Sequence, residues 1–170
     1  MSDVRLRRAT PDDVDFLLDV FSDDDVRPFL AAGKRLDRET LAEEISHQRD
    51  DPHASGRYVV EVDGERAGTL AFERVNLRSA IARLGGLAIH PRFRGRRLAD
   101  DAARLFQRHL IFDLGFHRHE MVVYGFNERA QRHAERAGWI REGVKRKAYR
   151  RDDGWVDGVM YAVIREDLQQ

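Results

Sequence analysis

Cysteine is absent from the 170 residues of this chain, and that absence removes two options. No disulfide can staple the fold, and no cysteine thiolate can carry an acyl group. Net charge is absent too, with 30 Lys and Arg balancing 30 Asp and Glu. The chain thus lacks the overall basic footprint of a nucleic-acid binder, and no nucleic-acid partner is expected. No apolar run approaches the roughly 20 residues of a membrane span or the form of a signal peptide, so no membrane partner is expected and a cytoplasmic location is the default. Repeats and linkers are missing as well. What remains is 42% hydrophobic and 35% charged, ordinary for a globular protein. The length fits one domain over residues 1–170, able to bury roughly two thirds of its unfolded surface.

One stretch stands out against this neutral background: LGGLAIHPRFRGRRLADDAAR, from Leu84 to Arg104. Leu87, Ala88 and Ile89 suit a buried strand, which His90-Pro91 ends because proline has no N–H to give. Arg92, Arg94, Arg96 and Arg97 then crowd around Gly95. From Leu98 the apolar residues Leu98, Ala102, Leu105, Phe106 and Leu110 fall on one helix face. A glycine-containing turn that opens a helix offers free amides and the positive end of the dipole, and the arginines make phosphate the natural anion.

The remaining elements follow from periodicity and turn chemistry. Residues 4–8 read as a strand. Thr10-Pro11-Asp12-Asp13 starts a helix over 11–22. Asp23 to Lys34 is irregular and acidic, and Asp37 caps a second helix carrying Leu41 and Ile45. After a loop over 51–56, strands at 58–62 and 68–75 flank the Asp63-Gly64 turn. A third strand spans 79–89, with Gly85-Gly86 marking a bulge or close backbone approach. A helix over 97–113 and a strand over 119–126 complete a right-handed βαβ step, predicted to pair the strand at 86–89 in parallel inside an otherwise antiparallel sheet. Asn127 caps a short helix ending at Gly138, and a hairpin over 139–149 and 156–164 closes the chain. The fold class is therefore α/β, a mixed and mostly antiparallel sheet with one central parallel step, flanked by helices. Ligands in such sheets bind beyond the carboxyl ends of the strands, where the Arg94 turn and the Asn127 cap lie side by side.

Pro91, Arg94, Gly95 and Ala99 resemble the "P-x-x-[RQ]-G-x-G-x-[GA]" turn of the GNAT superfamily of N-acetyltransferases, with Arg97 where the second glycine is usual. Asn127, Ala130, Gly138 and Trp139 are similar to its second signature, "N-x-x-A-x-x-x-Y-x-x-x-G-[FW]". The C-terminal part, REGVKRKAYRRDDGWVDGVMYAVIRED, resembles the branch holding ribosomal-protein N-terminal and spermidine acetyltransferases. The resemblance implies acetyl-CoA as cosubstrate, bound by Leu87, Ala88, Ile89, Arg94, Gly95, Arg96, Arg97, Leu98, Ala99 and Asn127. It also implies direct attack of a primary amine within a ternary complex. The acceptor, a small molecule or peptide amine, is not readable, although Asp23, Asp24 and Asp25 hint at a cation. Among assemblies, a homodimer is left open.

One departure bears on mechanism. The pattern's tyrosine, the general acid for the leaving thiolate, is Ala134, and the serine of some relatives is Ala130. A thiol of pKa near 8.5 leaves readily, and a positioned acid adds about 10²–10⁴ in rate. An amine of pKa near 10.4 is only about one part in 2,500 neutral at pH 7, so deprotonation demands roughly 4.6 kcal/mol. Tyr124 as acid and Glu73 as base are the catalytic candidates, with a packed strand aromatic and a solvated strand-end acid as the plain alternatives. His133 and His90 are weaker candidates. His117 and His119 share a strand face but lack a third ligand, so no metal is expected. Backbone amides near Leu87–Ile89 can stabilise the oxyanion whatever the side chains. Two other readings stand beside the enzyme: a catalytically silent acetyl-CoA sensor, motivated by Ala134, and an interaction protein whose arginines hold RNA or lipid phosphates.

Overall fold

The computed structural model describes residues 3–30 and 36–169, so residues 31–34 of the expected irregular segment lie outside the described residues. Among the described residues, four α-helices flank one seven-stranded sheet. In chain order the elements are β1 (Val4–Arg8), α1 (Val14–Ser22), α2 (Arg38–Asp50), β2 (Ser55–Val62), β3 (Glu65–Asn76), β4 (Ile81–Ile89), α3 (Leu98–Arg108), β5 (Arg118–Tyr124), α4 (Glu128–Arg136), β6 (Ile140–Arg151) and β7 (Gly154–Ile164). The strand order is β1-β2-β3-β4-β5-β7-β6. Every neighbouring pair is antiparallel except β4 and β5. No helix among the described residues is long and apolar enough to cross a membrane.

The sheet is covered on both faces, and strand alternation sorts the residues between them. Tyr58, Val60, Leu70, Phe72, Ala82, Leu84, Met121 and Val123 pack with Phe106 and Leu110 of the α3 region and with Ala134 of α4. Val59 belongs to the other cluster, with Leu17 and Phe21 of α1 and Leu41 and Ile45 of α2. Glu73, Arg83, Glu120, Val122 and Tyr124 alternate with members of the first cluster, so they fall on the α1–α2 face.

Several boundaries differ from expectation for local reasons. The first helix begins with a single 3₁₀ turn, Pro11–Asp13, whose acid both caps Thr10 and binds Arg7. The helix expected over 97–113 leaves the α pitch after Arg108 and ends as a π turn, His109–Asp113. There the His109 imidazole bridges the Tyr58 hydroxyl and the Asp113 carboxylate, each at 2.8 Å. β2 starts at Ser55 because Ser55 pairs with Glu73, which shortens the predicted loop. The parallel step needs the main correction. The strand at 86–89 is not the paired part; pairing joins Ile81, Ala82 and Arg83 to Arg118, His119 and Glu120, near the start of both strands.

Candidate active site

Because the parallel ladder stops at Arg83 and Glu120, β4 and β5 part where a cleft can open. β4 is also deflected: Thr69 pairs with Ala88 and Ala71 with Gly85, two steps on β3 against three on β4. The extra residue makes a bulge at Gly86–Leu87, as the paired glycines foreshadowed. Gly86 has φ +61°, and a Cβ there would stand 3.4 Å from Nη1 of the buried Arg57. The bulged amides are thereby set apart from the ladder.

The resulting cavity measures about 740 Å³. Its wall includes Leu87, Ala88, Ile89, Arg94, Gly95, Arg97, Leu98, Ala99 and Asn127, together with Glu73 and Tyr124. The sequence-derived residues thus converge on one space, with Arg96 alone outside its lining. His90 is outside too: its ring bonds Asp19 at 2.9 Å and stacks on Phe16.

At the mouth of α3, Arg97 takes the N-cap position at φ +59°, ψ +18°, and no side chain caps the helix. That left-handed conformation explains why the motif usually carries glycine here. The guanidinium of Arg97 is exposed and has no ion-pair partner among the described residues. Arg97→Gly should therefore keep the fold, with Tm within about 3 °C of the parent because relief of left-handed strain offsets added chain entropy. Loss of the charge should weaken binding of a diphosphate-bearing ligand, the kind this turn is expected to hold, by roughly 3- to 10-fold. An unchanged affinity would remove Arg97 from that expected role.

Arg94 faces different partners from those the motif suggests. Its Nη2 bonds Asp23 at 2.5 Å, its Nη1 bonds Asp25 at 2.9 Å, and its Nε donates to the Ile89 carbonyl at 3.1 Å. The same guanidinium holds the Asp23 carboxyl below its ordinary range, against a smaller opposing effect of burial. Asp24 pairs instead with Arg27. Each carboxylate of the acidic segment that hinted at a cationic acceptor is therefore already paired with an arginine.

Asn127 caps α4 through Oδ1, which accepts from the Ala130 amide at 3.1 Å. Its side-chain N–H₂ has no protein partner among the described residues and lies at the cavity wall. One turn on, α4 is tied to α3. Asp100, buried in the first turn of α3, accepts from Arg136 at 2.9 and 3.2 Å and meets His133 Nδ1 at 2.6 Å. Burial alone would raise the Asp100 carboxyl, but Arg136 and His133 outweigh it and hold it below its usual range. The sequence reading missed this clamp. The two basic residues three apart on α4 were visible, yet nothing in the spacing named Asp100 as their partner. Ala134 is fully buried in the core against the sheet and is not part of the cavity wall.

On the α1–α2 face, Arg83 reaches Glu120 at 2.9 Å and Glu73 at 3.8 Å, and Arg118 holds the other Glu120 oxygen at 3.2 Å. Glu73 stays largely exposed and is the less tightly held carboxylate. Tyr124 lies between Phe126, 5.4 Å away and stacked, and the edge of Tyr149 at 5.6 Å. Its hydroxyl has no hydrogen-bond partner among the described residues. His117 is exposed whereas His119 is sealed in the core, so the two do not share a site.

Comparison with known proteins agrees with this geometry. The family described as "Acetyltransferase (GNAT) domain" matches residues 3–140. The SPbeta prophage-derived uncharacterized N-acetyltransferase YokL of Bacillus subtilis (strain 168) is 26% identical over 83 residues, covering 49% of this chain and 47% of that protein. The chain thus matches about half the length of that curated relative. Among solved structures, a spermidine N-acetyltransferase SpeG K23-Q34 chimera from Vibrio cholerae and hSSAT superposes with TM-score 0.85 at 17% identity, covering 98% of each chain. Spermidine N-acetyltransferase from Vibrio cholerae in complex with CoA and spermine gives TM-score 0.84 at 17% identity, again over 98% of each chain. At these identities the likeness is one of fold.

Proposed function

The chain belongs to the GNAT acetyltransferase family, and from that footing we propose that it transfers the acetyl group of acetyl-CoA to a primary amine by direct attack in a ternary complex. The observation that carries the reading is the parting of β4 and β5 beside the Gly86–Leu87 bulge, which opens one cavity between the mouth of α3 and the Asn127 cap. The residues present fit the cosubstrate. Uncapped amides open α3, Asn127 keeps a free N–H₂, and the volume accommodates a long, narrow ligand.

Bound acetyl-CoA supplies an activated acyl group with a good leaving thiol. The chain's own work is positioning and proton handling. Amides at the bulge are available to the carbonyl oxygen as it gains charge, a contribution of about 3–4 kcal/mol per well-placed donor. Asn127 donates from its side-chain N–H₂ to the pantetheine arm. Glu73 takes the amine proton, directly or through water, and Tyr124 returns a proton to the thiolate. Holding both substrates in one cleft adds the proximity effect. The CoA–spermine complex of the Vibrio cholerae relative supports an amine acceptor.

The test is a thiol-release assay with acetyl-CoA across polyamines, amino acids, aminoglycosides and N-terminal peptides. Release above background for one class, matched by acetylated product, is the expected result. Stabilisation by acetyl-CoA without release for any amine would favour the silent sensor suggested by Ala134. No stabilisation at all would reject both readings.

A further inference from the structure

Arg94 lines the cavity and joins the turn before α3 to the segment that follows α1. Its Nε is anchored on the Ile89 carbonyl, and its terminal nitrogens are spent on Asp23 and Asp25 in the segment that follows α1. That segment is held at its far end as well. Arg151 donates to the Pro28 and Leu30 carbonyls at 2.5 and 3.0 Å, and Phe29 stacks on Phe126 at 5.9 Å. Asp25, Val26, Phe29 and Leu30 line the same cavity as Gly95, Arg97 and Ala99 at the mouth of α3.

We propose that Arg94 is exchanged between two anions, holding Asp23 and Asp25 in the empty protein and passing to the diphosphate of acetyl-CoA when it binds, so that the freed carboxylates receive a cationic acceptor. This rests on the function proposed above and adds an order to it. The Nε anchor survives the exchange, so only the terminal nitrogens change partner. A diphosphate offers the same two-pronged geometry as the two carboxylates, with more charge. Asp25 is 68% exposed, which makes its bond the easier one to surrender. After the exchange Asp23 and Asp25 lose their guanidinium, and Asp25 lines the same cavity as Phe29 and Glu73. By reciprocity, a cation bound there strengthens cofactor binding by the same factor.

CoA affinity, measured by calorimetry on the full chain, tests the exchange without catalysis. Asp23→Asn with Asp25→Asn removes the competing anions and should tighten CoA binding about tenfold. Asp24→Asn, which removes one charge from the same segment but none from Arg94, should change it by less than about twofold. In an Arg94→Gln background the double asparagine change should have no effect beyond that control. A parent-like or weaker affinity in the double variant would overturn the proposal, as would equal tightening with and without Arg94. With CoA present, 1,4-diaminobutane should bind several-fold tighter than without it. That gain should vanish in Asp25→Asn, and its absence in the parent would overturn the acceptor half. If the parent binds no CoA, the acetyltransferase reading itself fails. If the parent binds CoA but the variants behave additively, only the exchange fails.

Discussion

Replacing His119 by leucine should stabilise the protein by about 1–3 kcal/mol at neutral pH and by a growing margin as the medium is acidified. His119 is fully buried on β5, and neither ring nitrogen has a hydrogen-bond partner among the described residues. Its ring lies 4.7 Å from that of Trp139 and 5.7 Å from that of Phe106. Desolvation pushes its pKa down to about 3, against about 6.5 in an unfolded chain. Between these values the unfolded state binds a proton that the folded state refuses, so stability falls as pH drops below about 6.5. The slope is roughly 1.4 kcal/mol per pH unit for one such group. Leucine has nothing to protonate and leaves no unsatisfied nitrogen. Urea unfolding at pH 8 and pH 5 should show the advantage of the variant widening by about 2 kcal/mol. Asp13 does not confuse that window. Burial alone would raise its carboxyl, but Arg7 and the Thr10 amide hold it near 2. Its stabilising share is therefore complete above the ordinary carboxylate range and is lost only as pH falls toward 2. Parallel pH dependences for parent and variant would show that His119 finds a proton acceptor when charged.

The elements were legible in the sequence wherever periodicity and punctuation agreed. Pro91 ended β4, Asp63-Gly64 turned β2 into β3, and Asn127 capped α4 with the predicted side chain. The paired glycines marked a real bulge because only that position needs φ +61° beside a buried guanidinium. The extent of pairing was not legible. β4 and β5 part past Arg83, next to the bulge and to Glu120, whose partners Arg83 and Arg118 lie 37 and two residues away. Arginine roles were the least readable feature. A chain with equal numbers of acids and bases offers every guanidinium many partners, and spacing cannot choose among them. Arg94 meets carboxylates 69 and 71 residues away. Arg97 meets none among the described residues, and its left-handed dihedral angles show what replaced the glycine. The same long reach hid Asp100, whose partners lie on a different helix.

Tyr124→Phe should lower kcat by about 10²-fold or more while leaving CoA affinity within about twofold, because a positioned general acid contributes about 10²–10⁴. The change removes one hydroxyl that has no protein partner among the described residues. The stack on Phe126 and the Arg151 guanidinium, 5.0 Å from the ring centroid, are retained. Thermal stability should therefore match the parent, which separates a proton-transfer role from a packing role. If Tyr124 is only a wall of the cavity, phenylalanine will serve as well and kcat will not move. Glu73→Gln probes the other proton. Glutamine keeps the size of the side chain but cannot accept the amine proton, so kcat should fall by a comparable factor near pH 7. The deficit should shrink as pH rises toward the amine pKa of about 10.4, because more of the acceptor then arrives neutral. A deficit that stays constant with pH would assign Glu73 to holding Arg83 and hence Glu120, an electrostatic support of the parted strands. With Ala134 buried in the core, a loss of kcat in both variants would assign the two proposed proton transfers to the α1–α2 face of the sheet, where Tyr124 and Glu73 line the cavity.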